Sequence, residues 1–125
     1  MSAALASGSG WIAFALIPIG ACAGWLIRRF VKGPFRRRMR PHYALGYGAL
    51  VVALLHVALE TRSSAGADVV GLRLATLALI GLALQALVGS NLQSPGDYRK
   101  VLRRWHLVTF AAIALFVTGH VLLNR

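Results

Sequence analysis

The sequence predicts an all-α protein, a four-helix transmembrane bundle running up-down-up-down. Three observations predict it. Hydrophobic residues fill 58% of the 125 positions and charged residues only 14%, whereas a soluble domain carries about a quarter charged residues. Four windows of roughly 20 residues are almost free of charge, the length that an α-helix needs to cross a hydrocarbon core. Strand-like alternation is absent from these windows, and backbone polar groups in lipid must then be paired within each segment, as a helix pairs them. A disordered basic tail is excluded as well, because the mean hydropathy is +0.67 and such tails are hydrophilic.

The first helix is expected over residues 11–30. The stretch before it is rich in Ser, Gly and Ala with no positive charge, so it is not a cleavable signal and this helix should be retained. A basic loop follows over 32–41, bracketed by Gly33-Pro34 and Pro41. The second helix is expected over 42–59, and the polar turn ETRSSAGAD over 60–68 leads to Asp68 as a candidate N-cap. The third helix is expected over 69–92. A loop over 93–104 carrying Ser94, Pro95 and Gly96 then leads to the fourth, over 105–123. Together these form a single domain, residues 1–125.

The net charge is +11, from fourteen Lys and Arg against three Asp and Glu. Its distribution predicts orientation. Arg28, Arg29, Lys32, Arg36, Arg37, Arg38, Arg40, Arg99, Lys100, Arg103 and Arg104 border the first and third loops, and only Arg62, Arg73 and Arg125 border the other side. Short cytoplasmic loops carry the excess of Lys and Arg. The first and third loops are therefore expected in the cytoplasm and both termini outside, as in a bacterial inner membrane. Membrane lipid explains the basic run at 28–40 with fewer assumptions than nucleic acid, which is not an expected partner. Cys22 lies within the first helix, cannot form an intramolecular disulfide as the lone cysteine, and reads as an inert packing residue.

The four histidines occupy two of the four helices, His42 and His56 in the second and His106 and His120 in the fourth, each pair 14 residues apart. Fourteen residues are just under four turns, which puts both imidazoles of a pair on nearly one face and about 21 Å apart along the axis. In an up-down bundle these two helices run parallel, so His42 is level with His106 and His56 with His120. Two imidazoles at one depth on different helices are what a bis-histidine haem requires, and two levels imply two haems. Zinc does not suit the pattern: histidines so far apart cannot share an ion, and neither level offers further Cys, Asp or Glu ligands.

Small residues match this spacing. Gly10 and Gly24 are 14 apart in the first helix, as are Ala75 and Gly89 in the third. Counting from the loops sets Gly24 and Gly89 near the His42/His106 level and Gly10 and Ala75 near the other. Glycine would let a macrocycle lie between helices without side chains in its way.

Paired histidines 14 apart on two helices, alternating with Gly-bearing helices, resemble the N-terminal four-helix haem core of cytochrome b from the quinol-oxidising cytochrome bc complexes. The resemblance spans about residues 10–123 and rests on His42, His56, His106, His120, Gly10, Gly24 and Gly89. It implies two b-type haems stacked across a membrane and electron transfer from one face to the other. The Pro-Glu-Trp-Tyr quinol-oxidation motif of that family has no counterpart in these 125 residues, so bifurcated quinol oxidation is not carried over.

Haem propionates must reach water or meet cations. Arg40, Arg103 and Arg104 would lie beside the cytoplasmic haem, and Arg73 near the outer one. Arg73 interrupts an apolar run, at about 2–3 kcal/mol if unpaired at mid-membrane, so it needs a partner, a propionate or Asp68. Arg36, Arg37 and Arg38 read instead as lipid-headgroup and topology residues. Trp11, Trp25, Trp105, Tyr43, Tyr47 and Tyr98 fit interfacial aromatic belts. Gln85 and Asn91 fit interhelical hydrogen bonding better than a quinone contact. No nucleotide-binding loop, Ser/His/Asp set or carboxylate pair is present. The expected function is a di-haem subunit of an oxidoreductase complex, passing electrons between a partner redox subunit and a quinone or another carrier. Two other readings stand beside it: a haem-free structural or assembly subunit, and a self-contained quinone oxidoreductase.

Overall fold

The computed structural model describes residues 3–60, 68–93 and 96–123, and all regular structure among them is helical. The elements are α1 (Ala3–Phe30), α2 (Phe35–Arg38), α3 (Arg40–Glu60), α4 (Val69–Asn91) and α5 (Arg99–Leu123). All but α2 are long and apolar enough to cross a membrane, with mean hydropathy between 1.6 and 2.0. That is the composition of a multi-pass integral membrane protein.

Three helix starts differ from expectation. α1 begins at Ala3, α3 at Arg40 and α5 at Arg99, because a charge-free window finds the part of a helix that suits lipid and not the helix itself. Ala-rich and Lys/Arg-rich turns propagate a helix well without being apolar. Pro41 lies in the first turn of α3 and not in the loop, a position where a missing amide proton is harmless. The first loop also contains α2, followed by Met39, which is buried. The chain reverses before α2 at Gly33, whose φ of +124° a side chain would strain. Arg38 then stacks over the Phe35 ring at 5.7 Å and donates from Nη1 to the Val31 carbonyl at 3.0 Å. Asp68 caps α4 as expected, its carboxylate accepting from the Gly71 amide at 2.7 Å. The turn residues 61–67, Ser94 and Pro95 lie outside the described residues, as does Arg125.

The chain divides into two compact units, Met1–Thr61 and Arg62–Arg125. In the first, α1 packs against α3; in the second, α4 packs against α5. Both pairs are antiparallel, since Gly10 meets His56 and Gly24 meets His42, while Gly81 meets Ile113 and Gly89 meets His106. The packing seam on α3 is His42, Ala49 and His56, and on α5 it is His106, Ile113 and His120, each step being seven residues. A seven-residue repeat keeps one stripe on a neighbouring helix when the two cross at a shallow angle. The middle residue of each stripe is the most buried of its helix, Ala49 at 3% exposure and Ile113 at 2%. Ile113 fits because it lies against Gly81, where an added Cβ would stand 2.7 Å from Ile113 Cγ1. The outward faces carry Val51, Leu54, Leu72, Leu84 and Leu115, all exposed, as lipid contact requires.

Candidate functional site: four histidines on two helix seams

In the first unit, both histidines project from α3 onto α1. His42 lies over Gly24, where a Cβ would stand 2.9 Å from its Nδ1, and His56 lies over Gly10, where a Cβ would stand 2.8 Å from its Cε1. Contacts that short do not occur, so only glycine lets the rings seat there. His42 Nδ1 donates to the Gly20 carbonyl at 2.9 Å. A carbonyl only accepts, so the proton sits on Nδ1 and the lone pair on Nε2. His56 Nδ1 lies 3.4 Å from the hydroxyl of Ser9, a buried polar residue. Arg28 Nε donates to the Gly24 carbonyl at 3.2 Å, and the rings of His42 and Tyr43 lie 5.9 Å apart.

In the second unit, both histidines project from α5 onto α4. His120 Nδ1 donates to the Gly71 carbonyl at 2.9 Å, which again leaves the lone pair on Nε2. Gly71 thus serves twice, with its amide on Asp68 and its carbonyl on His120. His106 lies over Gly89 less closely, with 3.5 Å from a Cβ there to its Cε1. Its contact is also of another kind: Nε2 lies 3.3 Å from the side-chain amide nitrogen of Gln85. Thr109 Oγ1 bonds the Gln85 amide oxygen and lies 2.7 Å from the Trp105 carbonyl.

The expected glycines thus meet the expected histidines, Gly10 with His56, Gly24 with His42 and Gly89 with His106. What fills the space above each glycine is the imidazole itself. At His120 the contact falls on Gly71, one turn before Ala75. Ser9, Gly20, Gly71 and Thr109 are additions that the sequence reading lacked, and Gln85 is bonded to a histidine where only generic interhelical bonding was expected. A signal for two of the additions, and for Gln85, exists in the spacing: the hydrogen-bond partner stands four residues before the small residue, Gly20 before Gly24, Gly71 before Ala75 and Gln85 before Gly89.

Arg40 is exposed, two residues before His42 at the start of α3, and Arg73 is exposed two residues after Gly71. The Asp68 carboxylate accepts from the Gly71 amide at the α4 cap. On α5, Lys100, Arg103 and Arg104 flank Val101 and Leu107 in a shallow surface depression. Cys22 is exposed on α1.

These contacts suit metal-ligating histidines. Such residues usually donate Nδ1–H to a carbonyl, which fixes the ring and the tautomer and leaves Nε2 to bind the metal. His42 and His120 meet that description through Gly20 and Gly71, and His56 has the Ser9 hydroxyl at the same atom. Among the described residues no three His, Cys, Asp or Glu side chains converge. No protein-family model matches this chain, and neither does any curated protein or any solved structure.

Proposed function

We propose that this chain is a membrane subunit of a redox complex that carries electrons across the bilayer on two b-type haems. His42 and His106 would ligate one haem, His56 and His120 the other. The observation that carries the reading is the pair of 14-residue histidine spacings on α3 and α5. The seating of His42, His56 and His106 on glycine supports it, as does the Nδ1 donation of His42 and His120. When bound, a bis-histidine haem supplies an iron that accepts and releases one electron.

The residues of the chain have definite parts in this scheme. Gly10 and Gly24 let the rings of His56 and His42 seat close to α1, and Gly89 faces His106 at ordinary contact distance. The Gly20 and Gly71 carbonyls fix the donor nitrogen. Exposed Arg40 and Arg73 offer guanidinium groups to propionates at the two levels. The apolar outer faces keep water from the histidines. By charge bias the basic loops face the cytoplasm, with both termini outside and the four spans running up-down-up-down. The chain would exchange electrons with a redox partner subunit on one face and a quinone or another carrier on the other.

A reduced-minus-oxidised spectrum of the purified protein tests the proposal. The expected result is a low-spin b-type α-band at two haems per chain, with His56→Leu or His120→Leu each removing one haem and sparing the other. A protein lacking that band would overturn it. The same spectrum decides a second reading, a haem-free structural subunit, which is favoured by the hydrogen bonds that tie the histidines to α1 and α4.

A further inference from the structure

His106 breaks a regularity that His42 and His120 obey. Those two rings meet α1 and α4 through Nδ1, on the backbone carbonyls of Gly20 and Gly71. Gln85 stands at the corresponding place for His106, four residues before Gly89, and it offers a side chain to the other ring nitrogen, Nε2. The ring of His106 also sits higher above its glycine than those of His42 and His56, 3.5 Å against 2.9 and 2.8 Å. The two close rings are engaged at Nδ1, by the Gly20 carbonyl or the Ser9 hydroxyl, and the ring engaged at Nε2 by Gln85 stands farther off. Thr109 keeps that amide in place from the α5 side. Turning the amide over changes the sense of the bond and not its location, because the oxygen would accept from Nε2–H where the nitrogen donates to the Nε2 lone pair. Gln85 therefore occupies the atom by which a histidine binds haem iron.

We propose that Gln85 competes with haem for His106 Nε2, and so weakens the site at the His42/His106 level without touching the other. This rests on the di-haem reading above. Loading that site breaks the Gln85–His106 hydrogen bond and forms a coordinate bond from the same Nε2 lone pair to iron; no electron is transferred. A quinone or other polar ligand is not needed to explain a glutamine at this position. Its amide keeps the Nε2 of a membrane-embedded imidazole engaged until the cofactor displaces it, and Thr109 then retains the displaced amide.

The test is a hemin titration of the full-length chain, produced without haem and held in nanodiscs, in a His120→Leu background that leaves only the His42/His106 pair. Gln85→Leu removes the competing amide at similar volume, and Gln85→Asn leaves an amide one methylene too short, so one variant decides if the other does not fold. An interhelical hydrogen bond in a membrane is worth roughly 0.6–2 kcal/mol, which converts to about a threefold to thirtyfold tightening of hemin binding in both variants. In a His42→Leu background, where only the His56/His120 pair remains, the same changes should leave affinity unaltered. Unchanged or weaker hemin binding in the Gln85 variants overturns the competition and leaves the di-haem reading standing. Failure of the unaltered chain to give a low-spin haem spectrum overturns the di-haem reading and the competition with it.

Discussion

Single side chains at the histidine seams are under steric control that differs from glycine to glycine. A Cβ on Gly24 would collide with His42 Nδ1 at 2.9 Å, while a Cβ on Gly20 would meet Leu45 Cβ at an ordinary 3.9 Å. Both are glycines one turn apart on the same helix, yet only one needs to be. Gly24→Val should therefore destabilise the protein by about 1–3 kcal/mol, the usual result of overpacking, and on the di-haem proposal should lower the haem content at His42. Gly20→Ala should be neutral or stabilise by about 0.5–1 kcal/mol, because its carbonyl is kept and alanine favours the helix. Thermal melts in detergent, read beside the haem-to-protein ratio, compare the two. Equal losses from both changes would mean that the ring contact at Gly24 is not what constrains this helix.

At the level of whole elements, α4 is held at its start by one polar linkage that also reaches α5. Asp68 accepts from the Gly71 amide and the Gly71 carbonyl accepts from His120. Removing the cap with Asp68→Ala should cost about 1 kcal/mol of helix stability. It should also loosen the residue that orients His120, so on the di-haem proposal haem occupancy at His56/His120 should fall while the other site holds. On the di-haem proposal, haem content and the two amplitudes of a potentiometric titration check it, and equal loss of both amplitudes would place the effect elsewhere. The boundaries of the elements show how far sequence patterns reach. The four apolar windows locate four helices, since hydrocarbon demands apolar residues over a set length. They miss the first turns of α3 and α5, where Arg40, Arg99, Lys100, Arg103 and Arg104 are helical although unfit for lipid.

Across the whole molecule the +11 charge resolves by position into about +10 bordering the first and third loops and +1 bordering the other side, counting Asp97 with the former and Glu60 and Asp68 with the latter. Such an imbalance predicts orientation directly. In a Cys22→Ala background, a membrane-impermeant maleimide applied to intact cells should label Ser64→Cys and leave Arg37→Cys unlabelled until the cells are opened. The reverse pattern would invert the topology. Four haem propionates would neutralise part of that excess, so some of the basic residues at the loops would be partners of the cofactors and the rest would orient the spans.

Much was legible in the amino-acid sequence by itself: the helical class, the four apolar helices, the α4 cap at Asp68, and the matching of Gly10, Gly24 and Gly89 to histidines of the neighbouring helix. All of these depend on position along a chain, and a helix converts residue number into height at a constant rise. Tertiary structure alone decided what each imidazole touches. That depends on how far each helix is turned about its axis and how closely its neighbour approaches, which is set in the second unit by Ile113 lying against Gly81 and in neither unit by residue spacing. Height placed His106 level with Gly89. Rotation and approach determined that its Nε2, and not its Nδ1, would be the nitrogen already engaged, and that the group engaging it would be Gln85.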